Sequence, residues 1–174
     1  MEWILVQEPP RDVPVPFVAS SHRQNPGTGL VQHGVLIAVH WLVDGDVVAQ
    51  EMSLPIRYPQ PVAVEDGPLR LDLGTAIAPV MLETRVFQAL DENGLPHPPA
   101  SAIWCRYLDA TATCRITREA EHDNWQVHLD LPAGAGVSYI SMRGEWRIPC
   151  DSSLAENWES LAFDAGWIFS VMMA

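Results

Sequence analysis

Residues 35–54 read VLIAVHWLVDGDVVAQEMSL, two apolar segments folded on Asp44-Gly45. Both central residues of a type I′ turn need positive φ, and Asp-Gly tolerates it, so this pair predicts a two-residue hairpin. With Asp44 and Gly45 at the turn, Val43 faces Asp46 and the register follows. Trp41 lies opposite Val48, Val39 opposite Gln50, Ile37 opposite Met52 and Val35 opposite Leu54. That face carries most of the bulk and is the expected core face. The other face pairs Leu42 with Val47, His40 with Ala49 and Ala38 with Glu51, and is mixed.

The rest of the chain repeats this style of short alternating strands broken by Gly, Pro, Asn and Asp. A short strand is expected at residues 62–64, and Leu69, Leu71 and Leu73 alternate with Arg70 and Asp72. Val80, Leu82, Thr84 and Val86 share a face until Phe87 and Ala89 break the phase, which predicts a bulge. Ile103, Cys105 and Tyr107 point one way, with Trp104, Arg106 and Leu108 the other. Ala112, Cys114 and Ile116, followed by Trp125, Val127, Leu129 and Leu131, predict a second hairpin with Gln126, His128 and Asp130 outward. Ile140, Met142, Gly144, Trp146 and Ile148 give the cleanest alternation. Ser153-Leu154-Ala155-Glu156 fits a capping box, so one short helix is expected over residues 153–162. A closing strand over residues 166–173 is apolar on both faces, which suits a sheet interior or a place beneath another chain. With no βαβ rhythm, the expected fold is an all-β two-sheet β-sandwich, immunoglobulin-like or jelly-roll, with that one helix near the C-terminus.

Residues 1–29 stand apart. A short edge strand is expected at residues 3–7, and prolines at 9, 10, 14, 16 and 26 follow, with no period of 2 or 3.6. This reads as a proline-rich N-terminal arm preceding a single β-sandwich domain over residues 30–174. An arm without a ladder of its own must lie on its own domain or on a neighbouring subunit.

The chain has 174 residues, long enough for a hydrophobic core without metals or disulfides. Its formal charge is −12, and every cationic side chain is Arg, with no Lys anywhere. An acidic surface repels phosphate backbones, so no nucleic-acid partner is expected. A lysine-free chain has no P-loop lysine and no Schiff-base lysine, which removes P-loop NTPases and pyridoxal-phosphate enzymes. No apolar run reaches membrane-spanning length. The opening MEWILVQEPPRD lacks a basic n-region, which predicts no signal peptide and a cytoplasmic chain, or one incorporated into an assembled particle.

Three cysteines, Cys105, Cys114 and Cys150, lack CxxC spacing, and buried free thiols are expected. A Cys105–Cys114 disulfide is the alternative for a chain that reaches an oxidising compartment. Gly34 to His40 has the G-x5-H spacing that opens a cupin metal motif. Leu42 stands where that motif wants a second His, and Glu51 comes too late. His122, Asp123 and His128 have no spacing that fixes their convergence, and Asp44, Asp46, Asp91 and Glu92 suit turns. No HExxH, G-x-S-x-G or EF-hand loop occurs. No metal ligand, cofactor-binding residue or catalytic residue is therefore expected.

The expected function is non-catalytic: protein–protein interaction or assembly, as a structural subunit of a larger particle such as a virion or tail-like structure. The interaction residues expected are Pro14, Pro16 and Phe17 in the arm, the outward Trp104, and Trp167 and Phe169 in the closing strand. A carbohydrate- or small-ligand-binding module is the alternative, with Trp104 as its stacking platform. A metal-dependent or hydrolytic enzyme is the third reading.

Overall fold

The computed structural model describes residues 7–19, 31–43, 46–51, 53–64, 67–97, 100–132, 134, 136–149 and 163–173. Among these, every regular element is a strand. The expected helix at 153–162 and the Asp44-Gly45 turn lie outside the described residues, as does the expected edge strand at 3–7 apart from Gln7, which is irregular.

Sheet A runs in the order β11 (Arg106–Tyr107), β12 (Cys114–Thr117), β13 (Gln126–Leu129), β6 (Leu69–Asp72), β1 (Phe17–Ala19), β2 (Val31–His33). Sheet B runs β10 (Ile103–Trp104), β7 (Met81–Phe87), β14 (Gly136–Trp146), β15 (Phe163–Met173), β3 (Val35–Val43), β4 (Asp46–Glu51). A further strand, β5 (Val62–Val64), pairs in parallel with the end of β15, and β8 (Ala89–Leu90) with β9 (Pro96–His97) forms a small third sheet.

The hairpin register is as the DG turn requires. Val43 faces Asp46, Trp41 faces Val48 and Val39 faces Gln50. Val39 and Trp41 are buried, at 6% and 1% exposure, so the bulky face does turn inward. The second expected hairpin also forms, with Cys114 opposite Leu129 and Ile116 opposite Val127, all four fully buried. In β14, Ile140, Met142 and Trp146 are buried as their phase demands. A Cβ on Gly144 would fall 2.8 Å from the Trp146 indole, so the glycine makes room for that ring to fold back along its own strand. Trp41 stands edge-on to both Trp146 and Phe163, with centroids 5.3 and 5.2 Å away.

Inner-face side chains of both large sheets belong to one core. Val18, Leu69, Leu71, Ile116, Val127 and Leu129 come from sheet A; Val39, Trp41, Leu82, Ile140, Met142 and Trp146 come from sheet B. The chain passes between sheets at two tight points. At Gly34 it leaves β2 for β3, and a Cβ there would sit 2.7 Å from the Phe169 ring. At Cys105 it leaves β10 for β11.

Two expectations need correction. The arm is not without a ladder. Phe17–Ala19 pairs with both β6 and β2 and so lies in the interior of sheet A. Pro14, Pro16 and Val18 are buried while Val15 and Ala19 are exposed, so the segment alternates with period two once proline counts as an apolar side chain. The leading cysteine expectation, free thiols, also fails, and its alternative holds. Cys105 and Cys114 are joined in a disulfide rather than free. Cys150 lies outside the described residues.

Candidate interaction face

Trp104 sits on β10, the short edge strand of sheet B, where its outward phase leaves it 54% exposed. Pairing with β7 puts it opposite Glu83, and Glu83 in turn faces Arg143 on β14. Gly166 on β15 and Ala38 on β3 continue the same row, and neither raises a large side chain. The next row runs Met81, Glu145, Asp164, His40. Met81, Glu83, Trp104, Arg143 and Glu145 enclose a depression of about 40 Å³.

The charges on this face alternate in sign and are held in place. Arg85 Nε donates to Glu83 at 2.6 Å, Arg147 Nε to Glu145 at 3.2 Å, and Arg143 stands 3.6 Å from Asp164. Exposed pairs of this kind add little stability, about 0–1 kcal/mol each. Their effect is to fix where each charge points. The opposite end of the same face is covered. The Tyr58 ring packs on Tyr139 at 5.2 Å between centroids, and Tyr58 Oη donates to Gly94 O at 2.8 Å. Burial, with Tyr139 and Asp91 nearby, pushes the Tyr58 phenol up to about 12, so it is a neutral donor at all ordinary pH.

The expected interaction residues fall on two sides of this surface. Trp167 and Phe169 are inside the chain's own core at 2% and 0% exposure, and Pro14 and Pro16 are buried. Their contacts are made within the chain: Gly34 N donates to Pro16 O at 3.0 Å, and Trp41 Nε1 reaches Pro10 O at 3.1 Å. Phe17 is half-buried, edge-on to His33 at 6.0 Å. Trp104 alone of the six is exposed. The residues around it were not singled out by sequence, because alternation shows which way Glu83, Arg143 and Glu145 point and not that their strands adjoin.

Among the described residues, no group of three or more His, Cys, Asp and Glu side chains is placed to hold a metal ion. Comparisons with known family models, with curated proteins and with solved structures found no match to this chain.

Proposed function

We propose that this chain is a non-catalytic β-sandwich whose role is assembly, and that the Trp104 end of sheet B is the surface through which it associates with further copies of itself. The shared core of sheets A and B supports the sandwich reading. The observation that carries the functional reading is Trp104, 54% exposed beside Met81 at 38%. Exposed Trp and Met next to Arg are the composition of interface centres. The surrounding Glu83, Arg143, Glu145 and Asp164 carry both signs, so a second copy related by a two-fold axis meets opposite charges with the same patch.

A depression of about 40 Å³ is far below the size of small-molecule sites, so contact area has to come from the open sheet surface. That favours a protein over a glycan. The Cys105–Cys114 bond supports a setting in which thiols oxidise over a reducing cytoplasm.

Size-exclusion chromatography with light scattering tests the proposal. The wild-type chain is expected to gain mass with concentration, and Trp104→Glu to remain monomeric with unchanged thermal unfolding. A wild-type chain that stays monomeric at every concentration sinks the reading. Glycan-array binding lost in Trp104→Ala would replace it with carbohydrate recognition.

A further inference from the structure

The outer face of sheet A is built differently from that of sheet B. Registers place Arg106, Arg115, His128 and Arg70 side by side on the adjoining strands β11, β12, β13 and β6. The whole chain has ten cationic side chains and a net charge of −12, yet three of its arginines fall in this single cross-strand row. Each is oriented by an acid. Asp130 takes two bonds from Arg115, at 3.1 and 3.2 Å, Glu119 pairs with Arg70, and Asp109 stands 3.9 Å from Arg106. His122 also lies beside this row, 3.6 Å from Glu119.

Over this row lies a groove of about 440 Å³, lined by Leu108, Ala110, Arg115, Thr117, Glu119 and His128. Its rim at Leu108 is held in an unusual backbone state. Leu108 has φ 54°, the one positive value at a non-glycine residue among those described, and its N–H is tied to Ile116 O at 3.0 Å. The Cys105–Cys114 disulfide closes the same loop.

A second, independent observation comes from polar atoms one row further on. Thr117 and Gln126 face each other across β12 and β13. Thr117 Oγ1 and Gln126 Oε1 are both buried with no hydrogen-bond partner among the described residues, although Gln126 is only 4% exposed. Buried polar groups are otherwise nearly always paired; of these two, Thr117 lines the groove and its hydroxyl can donate to a ligand there, whereas Gln126 Oε1 only accepts and lies outside the lining.

We propose that this groove binds a small oxyanion, a carboxylate or a phosphate, with Arg115 and the Thr117 hydroxyl as its donors and His128 alongside. Asp130 and Ala112 engage Arg115 through Nη1 and Nη2, and none of these contacts involves its Nε–H. The Thr117 hydroxyl, now without an acceptor, donates to the anion. Leu108 and Ala110 give an apolar wall for the body of an organic acid. Burial holds the His128 imidazole below its ordinary range, and Arg70 and Arg115 push it the same way. A bound anion opposes both arginines, so binding raises the affinity of His128 for its proton and is tighter at lower pH. The other titratable groups on this face are Glu119, His122 and Asp130.

The test is an NMR pH titration of the His128 ring, assigned with His128→Gln, in acetate, in inorganic phosphate and in sodium chloride of matched ionic strength. A saturable upward shift is expected in acetate or phosphate beyond that in chloride, and whichever of the two acts identifies the class. Arg115→Gln is expected to weaken binding roughly tenfold or more and Thr117→Val about threefold to tenfold, the loss of a charged and a neutral donor respectively. Arg57→Gln, an exposed cation elsewhere, leaves it unchanged. Thr117→Val retains the wild-type unfolding curve, since Val replaces Thr in volume and the hydroxyl it removes has no partner among the described residues; the unfolding curve of Arg115→Gln is recorded beside it, because Arg115 also donates to Ala112 O. Equal shifts in all three salts, or a saturable shift that survives Arg115→Gln, overturn the proposal.

Discussion

At Ser170 the strand β15 has left β3 behind and has not yet met β5, and the side-chain amide of Gln32 fills the place. Ser170 N donates to Gln32 Oε1 at 2.9 Å, while Gln32 Nε2 donates to Ser170 O at 3.0 Å and to Gln60 O at 2.9 Å. A primary amide offers the same donor and acceptor pair as a peptide group, so one glutamine of sheet A continues the ladder of sheet B. Gln32 is 4% exposed and Ser170 is fully buried, so no solvent replaces these bonds if they are lost. Gln32→Leu leaves the buried Ser170 N–H and carbonyl unsatisfied, at about 1–3 kcal/mol for each buried group that loses its partner. The expected loss of unfolding free energy is about 3–5 kcal/mol, read from urea denaturation. Gln50→Leu on the exposed strand β4 serves as the comparison and is expected to change stability by no more than about 0.5 kcal/mol. A Gln32→Leu loss no larger than the Gln50→Leu one would show that β15 does not depend on the amide.

Among the elements, the loop between Cys105 and Cys114 shows most clearly what a sequence reading reaches. The inward phase of both cysteines was legible, because Cys105 alternates with Trp104 and Cys114 with Arg115. That β10 and β12 bring them together was not, since β10 belongs to sheet B and β12 to sheet A. The same limit hid the neighbours of Trp104 and the oxyanion groove. Alternation reports a side chain's face, whereas adjacency comes from pairings such as β6 with β13 that have no local signature. The arm's strand is hard to read for another reason: proline denies a donor, and that masks the period of two in Pro14, Pro16 and Val18. Hairpins were legible because a turn and two alternating strands are contiguous, as residues 35–51 show. The disulfide itself makes a measurable difference. Closing a loop with a sequence separation of 9 is worth about 2–3 kcal/mol in the chain-entropy account. The Cys105→Ser/Cys114→Ser double variant should lose about that much stability in urea melts. Thiol titration in denaturant should find the Cys105 and Cys114 thiols only after reduction. Three thiols before reduction would mean that the bond does not form.

For the molecule as a whole, the features that first suggested a chain wrapped by its neighbours are satisfied internally. The doubly apolar β15 is buried between β14 on one side and β3 with β5 on the other, and residues 7–19 lie on their own sheets. Deleting the arm therefore does not separate assembly from folding. Removing residues 1–19 takes β1 out of the middle of sheet A, strips β2 of its partner and opens the β6 edge to solvent. It also uncovers the Val18 site in the core and removes the Pro10 carbonyl from the Trp41 indole. A truncation starting at residue 20 is expected to be aggregated or to bind a hydrophobic dye, with no cooperative unfolding transition. Trp104→Glu is expected to keep that transition unchanged while altering mass alone. If the truncated chain instead melted cooperatively as a soluble monomer, β1 would be dispensable to sheet A. The arm would then return as a candidate for contact with another subunit, and the Trp104 face would lose its standing as the place where copies meet.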